Sequence, residues 1–149
     1  MERLTLKFRK LDERAVVPSY ATEFSAGADL YALCDGDIQI RSGETVLVHT
    51  GIAVEIPEGY AGYVFARSGL ASKKGLAPAN KVGVIDSDYR GEIMVALHNH
   101  SDETCNISNK DRIAQIVFMP YAYAVFSQTE DLSDTVRGTG GFGSTGKGK

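Results

Sequence analysis

Asn80-Lys-Val-Gly-Val-Ile-Asp-Ser-Asp-Tyr-Arg-Gly91 reads as a strand running into a polar turn, and that reading decides the fold. Residues 82–85 form an apolar, mostly β-branched run, Asp88-Tyr-Arg-Gly91 reads as the turn, and residues 92–97 resume as a strand. Asp86 stands where strand gives way to turn. A carboxylate there is expected to be partly buried yet within reach of a bound water, which suits a general base. An ordinary hairpin with a polar tip accounts for the same residues, because Asp and Gly are common in turns.

The flanking sequence repeats the strand-and-turn pattern. Residues 4–8 alternate apolar and polar, predicting a strand with one buried face. Residues 26–33 read as a strand carrying a single charge, Asp29, near its start. Asp35-Gly36 and Ser42-Gly43 bracket a short strand at 37–41. Further strands are expected at 45–50, 52–56, 60–66, 104–107 and 112–119, and 121–126 is a last alternating segment. Only residues 69–74 read as helical, for about two turns. Short strands at near-regular spacing with almost no helix argue for an all-β sandwich or barrel.

The 149 residues suffice for one domain with a real core. Composition, 43% apolar and 23% charged, is that of a folded globular chain. A net charge of −3 gives no bulk attraction to nucleic acid polymers or anionic membranes, so any phosphate must be held by a few placed cations. Cys34 and Cys105 form no CxxC pair and no zinc pattern, and two buried free thiols are expected. No apolar run approaches a membrane span and no signal-peptide core opens the chain, which predicts a soluble cytoplasmic protein.

From residue 138 to 149 six glycines fall in twelve residues, with almost nothing to bury. Such a tail cannot offset its ordering entropy by packing and is expected to be mobile until it meets a ligand. The β domain is accordingly drawn over residues 1–136 and the tail over 137–149. Gly138-Thr-Gly-Gly-Phe-Gly143 satisfies G-x-G-x-x-G, and residues 141–147 satisfy G-x-x-x-x-G-K. Both motifs need a preceding parallel strand and a following helix, neither of which this segment offers. Their shared chemistry remains, since consecutive glycines let backbone N–H groups wrap an anion.

Other candidates stay open on the residues alone. Arg67 and Ser68 stand just before the helix, either as an anion site or as a capping serine beside a surface arginine. Arg112 is a phosphate contact or a structural ion pair, and Gln115 a phosphate contact or a satisfied core amide. His98 and His100 lie two apart on a strand without an obvious third metal ligand, so surface histidines are the simpler reading.

Five segments in order resemble the trimeric deoxyuridine triphosphate nucleotidohydrolases (dUTPases): Ala26-Gly-Ala-Asp-Leu-Tyr-Ala, Ala66-Arg-Ser-Gly-Leu-Ala, Gly83-Val-Ile-Asp-Ser-Asp-Tyr-Arg-Gly, Asp111-Arg-Ile-Ala-Gln, and Arg137-Gly-Thr-Gly-Gly-Phe-Gly-Ser-Thr-Gly. The likeness runs from about residue 4 to residue 146. Ala28 stands where the family usually has Tyr, and Ala66 where Pro often stands; neither alters a charged or hydrogen-bonding position. The resemblance implies a β jelly roll (a β-clip-like barrel with one short helix) assembled as a homotrimer with active sites at subunit interfaces.

It also implies roles. Asp86 would orient and deprotonate the water that attacks the α-phosphorus of dUTP. Tyr89 would pack under the deoxyribose and leave no room for a 2′-hydroxyl. Asn80 and the backbone of Gly83, Val84 and Ile85 would read the uracil edge, with Met94 adjacent. Arg67, Ser68, Gly69 and Gln115 would hold phosphates, and Asp29 would touch the Mg2+ shell through water. Phe142 would stack on uracil from the tail, while Arg137, Gly143, Ser144 and Thr145 would close on the γ-phosphate end. A sister lineage on the same fold deaminates dCTP with a glutamate where this chain has Ala96, which favours the hydrolase. A non-enzymatic jelly-roll binding module is the rival of another class.

Overall fold

A computed structural model describes residues 3–141. Strands dominate: β1 (Lys7–Lys10), β2 (Ser19–Tyr20), β3 (Ala28–Tyr31), β4 (Ile38–Ile40), β5 (Thr45–His49), β6 (Ile52–Glu55) and β7 (Tyr60–Phe65) precede the helix α1 (Ser68–Lys74). After it come β8 (Leu76–Pro78), β9 (Gly83–Ile85), β10 (Met94–Asn99), β11 (Cys105–Ile107) and β12 (Arg112–Pro120). The pairings are antiparallel, in sheets ordered β2-β3-β12-β7-β9, β5-β10-β8, β1-β6 and β4-β11. This is the all-β jelly-roll architecture expected.

The alternation read from the sequence becomes burial. Along β10, residues 95, 97 and 99 are buried while 94, 96 and 98 are half-exposed. Leu30, Ile40, Val48, Ile52, Leu76, Val95, Leu97, Ile107, Ile113 and Ile116 form the core between the sheets, each at 2% exposure or less. In β12 the register shifts between Arg112 and Ala114, so Ile113 and Ala114 are both buried where strict alternation would expose one.

Three expectations fail. Residues 121–126 form no strand and are exposed throughout. Alternation shows a capacity to pair, and among the described residues they meet no partner strand. β1 begins at residue 7 and all four of its residues are exposed, because the ribbon it forms with β6 is not covered on that side. Cys105 is buried but Cys34 only partly so, and both are free thiols. Sequence reasoning also passed over β2 and β8, two and three residues long and each touching a proline.

Candidate functional site

Asp29 sits inside the five-stranded sheet, and strand register builds a cluster around it. It lies opposite Gln115 of β12, and Gln115 lies opposite Phe65 of β7, two residues before Arg67. Arg67 Nε donates to Asp29 Oδ1 at 2.7 Å and Arg112 Nη1 donates to Asp29 Oδ2 at 3.2 Å. Arg67 Nη1 also donates to the Arg112 carbonyl at 3.3 Å. The Asp29 side chain is 11% exposed, and two guanidiniums against one carboxylate leave the cluster a net positive charge. A buried carboxylate persists when paired and hydrogen-bonded in this way.

Gln115 Nε2 donates to the Ala66 carbonyl at 2.9 Å, fixing the exit of β7. Arg67 occupies the N-cap position with extended backbone and no side-chain cap, so Ser68 is the first helical residue rather than the cap. The first N–H groups of a helix have no partner inside it. A cavity of about 460 Å3 opens among Ser25, Gly27, Asp29, Arg67, Ser68, Gly69 and Gln115. Its cation, hydroxyls and helix start suit an anion.

The same cluster bears on metal binding. Both Asp29 oxygens already hold guanidiniums, which disfavours direct coordination there. A carboxylate keeps acceptor capacity for a water as well, and this fits a Mg2+ approached through its hydration shell. Among the described residues no three His, Cys, Asp or Glu converge on a metal position. His98 and His100 pack edge to face, 4.3 Å between ring centroids, and Thr45 Oγ1 bonds His98 Nδ1 at 2.8 Å.

The second group gathers on the hairpin. β9 is the edge of its sheet, with Gly83 opposite Val64. A Cβ at Gly83 would lie 3.2 Å from Asn80 Nδ2 and 3.3 Å from Val64 Cβ, so glycine permits this close approach. A notch of about 90 Å3 lies among Asn80, Gly83, Val84, Ile85, Met94 and Ala96. Beside it a cleft of about 220 Å3 is lined by Val84, Ile85, Asp86, Tyr89, Glu92 and Met94. The Tyr89 amide donates to the Asp86 carbonyl at 3.2 Å, closing the turn, and the Tyr89 hydroxyl donates to the Glu92 carbonyl at 2.9 Å. Asp86 is exposed, contrary to the expected partial burial, because the turn leaves an edge strand and no element among the described residues covers it.

One chain does not bring the two groups together. Ile85 pairs with Gly62, which sets Asp86 level with residue 61, six residues before Arg67. At ~3.3 Å per residue, roughly 15–20 Å separates their backbones along the strand. Arg137 is exposed, its Nε donating to the Gly140 carbonyl at 2.8 Å. Phe142, Gly143, Ser144 and Thr145 lie outside the described residues.

Sequence reading missed Glu92. Its carboxylate accepts the Thr50 and Gly51 amides at 3.1 and 2.7 Å and bonds His49 Nδ1 at 2.8 Å. Burial pushes its acidity down, but these hydrogen bonds outweigh burial and hold the carboxyl below its usual pKa. No local signal marks such a residue, since its partners lie 41 to 43 positions away. For Arg112, left open above, the ion pair with Asp29 is what the structure contains.

Comparison with known proteins covers both groups of residues. The dUTPase family model matches residues 13–146. A deoxyuridine 5′-triphosphate nucleotidohydrolase of Desulfitobacterium hafniense is 49% identical over 145 residues, 97% of this chain and 96% of that protein. One from Nautilia profundicola is 49% identical over 144 residues, 97% of this chain and all of its own. Among solved structures, a glycine-to-serine mutant of the Staphylococcus bacteriophage 80alpha dUTPase with dUpNHpp superposes with a TM-score of 0.87 at 27% identity, covering 96% of this chain and 99% of that one. A phage phi11 dUTPase described with a structural Mg(II) ion superposes at 0.76 and 27% identity, covering 86% and 98%. A match that begins before the Asp29 cluster, runs through the hairpin and ends in the glycine-rich tail leaves no part of the site outside it, and the chain belongs to the dUTPase family.

Proposed function

We propose that this protein hydrolyses dUTP to dUMP and pyrophosphate, which keeps uracil out of DNA and supplies dUMP for thymidylate synthesis. The observation that carries this reading is the hairpin. Within ten residues it sets an amide and close-approaching backbone at a small notch, an aromatic ring in the adjoining cleft, and an exposed carboxylate between them. Asn80 and the backbone of Gly83, Val84 and Ile85 read the uracil edge beside Met94, and Tyr89 packs under the sugar. Asp86 takes a proton from a water, which attacks the α-phosphorus as pyrophosphate leaves.

Arg67, Ser68, Gly69 and Gln115 hold the phosphates, and Asp29 keeps Arg67 in place. Asp29 would face the water shell of a bound Mg2+, which would supply charge neutralisation. Residues 1–136 are the β domain, and 137–149 form a tail whose Arg137, Phe142, Gly143, Ser144 and Thr145 close on the bound nucleotide. A cytoplasmic setting fits this substrate.

The working site is assembled between chains of a homotrimer. The separation of the Asp86 and Arg67 backbones along the sheet supports this. So do Tyr123, Val125, Phe126 and Leu132, each at least 86% exposed, apolar surface that an isolated chain leaves uncovered.

Pyrophosphate release from dUTP, UTP, dTTP and dCTP with Mg2+ tests the reading. Turnover confined to dUTP is expected. Deamination of dCTP would assign the sister chemistry, and absence of any turnover would leave a binding module.

A further inference from the structure

Glu92 lies just past the catalytic hairpin, yet its carboxylate is fastened to the turn between β5 and β6. One oxygen takes the amides of Thr50 and Gly51 at 3.1 and 2.7 Å, and the other bonds His49 Nδ1 at 2.8 Å, leaving the side chain 18% exposed. Gly51 holds φ at +69°, and a Cβ there would press on Leu33 and Ala15 at 2.7 and 2.8 Å, so the amides are presented by a backbone that only glycine adopts freely. Thr50 Oγ1 donates to the Ile93 carbonyl at 2.5 Å, and the Ile93 amide donates to the Ile52 carbonyl at 2.8 Å. The start of the strand after the hairpin is therefore riveted to a second element.

The hairpin loop itself is bonded mainly within itself. Arg90 Nη1 donates to the Ser87 and Tyr89 carbonyls at 2.6 and 3.0 Å, and the Tyr89 amide closes onto Asp86. The Tyr89 side chain crosses to the riveted strand through its hydroxyl, which donates to the Glu92 carbonyl at 2.9 Å. Its ring also lies so close over Gly91 that a Cβ there would collide with the phenol.

We propose that Glu92 is a positioning residue for sugar discrimination: its carboxylate pins residues 92–93 to the 49–51 turn and so fixes the carbonyl that anchors the Tyr89 ring. The inference rests on the reading above that Tyr89 packs under the deoxyribose. Rejecting one hydroxyl by steric exclusion requires a ring that cannot retreat, and a ring on an otherwise self-contained loop retreats unless its far end is held. Glu92 also lines the cleft that holds Asp86. With its acceptors engaged by the turn, it leaves the water to Asp86.

The test compares kcat/KM for dUTP and UTP in the unsubstituted protein, Glu92→Ala, Glu92→Gln and Tyr89→Phe, with thermal midpoints at equal protein concentration. Glu92→Ala is expected to lower the dUTP-over-UTP ratio by about tenfold or more, chiefly through KM. Glu92→Gln should keep the ratio within about twofold, because its amide oxygen still accepts the turn amides and its nitrogen can donate to His49. Tyr89→Phe keeps the ring but loses the anchor, and its ratio should fall as well. A folded Glu92→Ala protein with the original ratio, whatever its thermal midpoint, overturns the proposal, as does a Gln variant as indiscriminate as Ala. Should the Ala variant not fold, an unchanged ratio in Tyr89→Phe overturns it instead. Lack of dUTP turnover in the unsubstituted protein removes the underlying reading, and the inference with it.

Discussion

Asp29→Asn separates the ion pairing of the buried carboxylate from its proposed part in substrate alignment. Asparagine keeps the volume but leaves one acceptor oxygen and turns the other corner into a donor, so either Arg67 or Arg112 faces an amide NH2. Removing one partner from a buried ion pair costs about 3–5 kcal/mol. The Arg67 and Arg112 side chains are 26% and 49% exposed, so water takes up part of that loss and about 2 kcal/mol remains. For a domain of this size that is a fall in thermal midpoint of about 4–8 °C. Released from the 2.7 Å bond, Arg67 need drift only ~1 Å to lower kcat/KM by about 10²-fold. Thermal melts and pyrophosphate release on dUTP, at one protein concentration because assembly adds to stability, measure both. A midpoint within about 1 °C of the original together with full kcat/KM would refute the reasoning. A lower midpoint with full turnover would keep the ion pair and remove Arg67 alignment from catalysis.

Asp86→Asn should keep the fold and dUTP binding while kcat falls about 10²–10⁴-fold, checked by calorimetric titration beside steady-state rates; near-normal kcat would take Asp86 out of the mechanism. Deleting residues 137–149 should leave the thermal midpoint nearly unchanged and catalysis much weaker, because residues 137–141 contribute nothing to the core; loss of folding would make the tail structural. Leu97→Ala, at a fully buried position, should cost about 2–5 kcal/mol in denaturant unfolding. Hydrogen bonds hold the Glu92 carboxyl below its usual pKa, so its contribution to stability is present above the ordinary carboxylate range and is lost as pH falls through the lowered folded value. Acid unfolding of Glu92→Gln should accordingly show a shallower pH dependence than that of the unsubstituted protein.

The strands were legible wherever one face is buried within the chain. Alternation along β10 and the apolar run entering β9 mark both elements because core contacts select every second residue. The same signal misled at 121–126, where Tyr-Ala-Tyr-Ala-Val-Phe has the period of a strand and no strand beside it. Periodicity records a face to be covered and carries no information on what covers it. Site chemistry was legible as segments, since Asp86 and Tyr89 sit three residues apart. The fork at Asp29 was not, because Arg67 and Arg112 come from positions 38 and 83 residues away and meet it only through the register of three strands. Exposure of Asp86 was misjudged for a related reason: a carboxylate at a strand end is shielded only if another element crosses it.

The pairing of β3 with β12 sets a timetable for synthesis. Residues 28–31 leave the ribosome early and must wait for residues 112–116 before their ladder closes. At about 5–20 residues per second the wait lasts several seconds, longer than most local structure takes to form. Throughout that interval Asp29 is a lone carboxylate in a half-made sheet, and the arginine fork does not exist. A nascent chain therefore lacks the fork until nearly all of it has been made. The long-range ladder must form on the chain's own hydrophobic contacts.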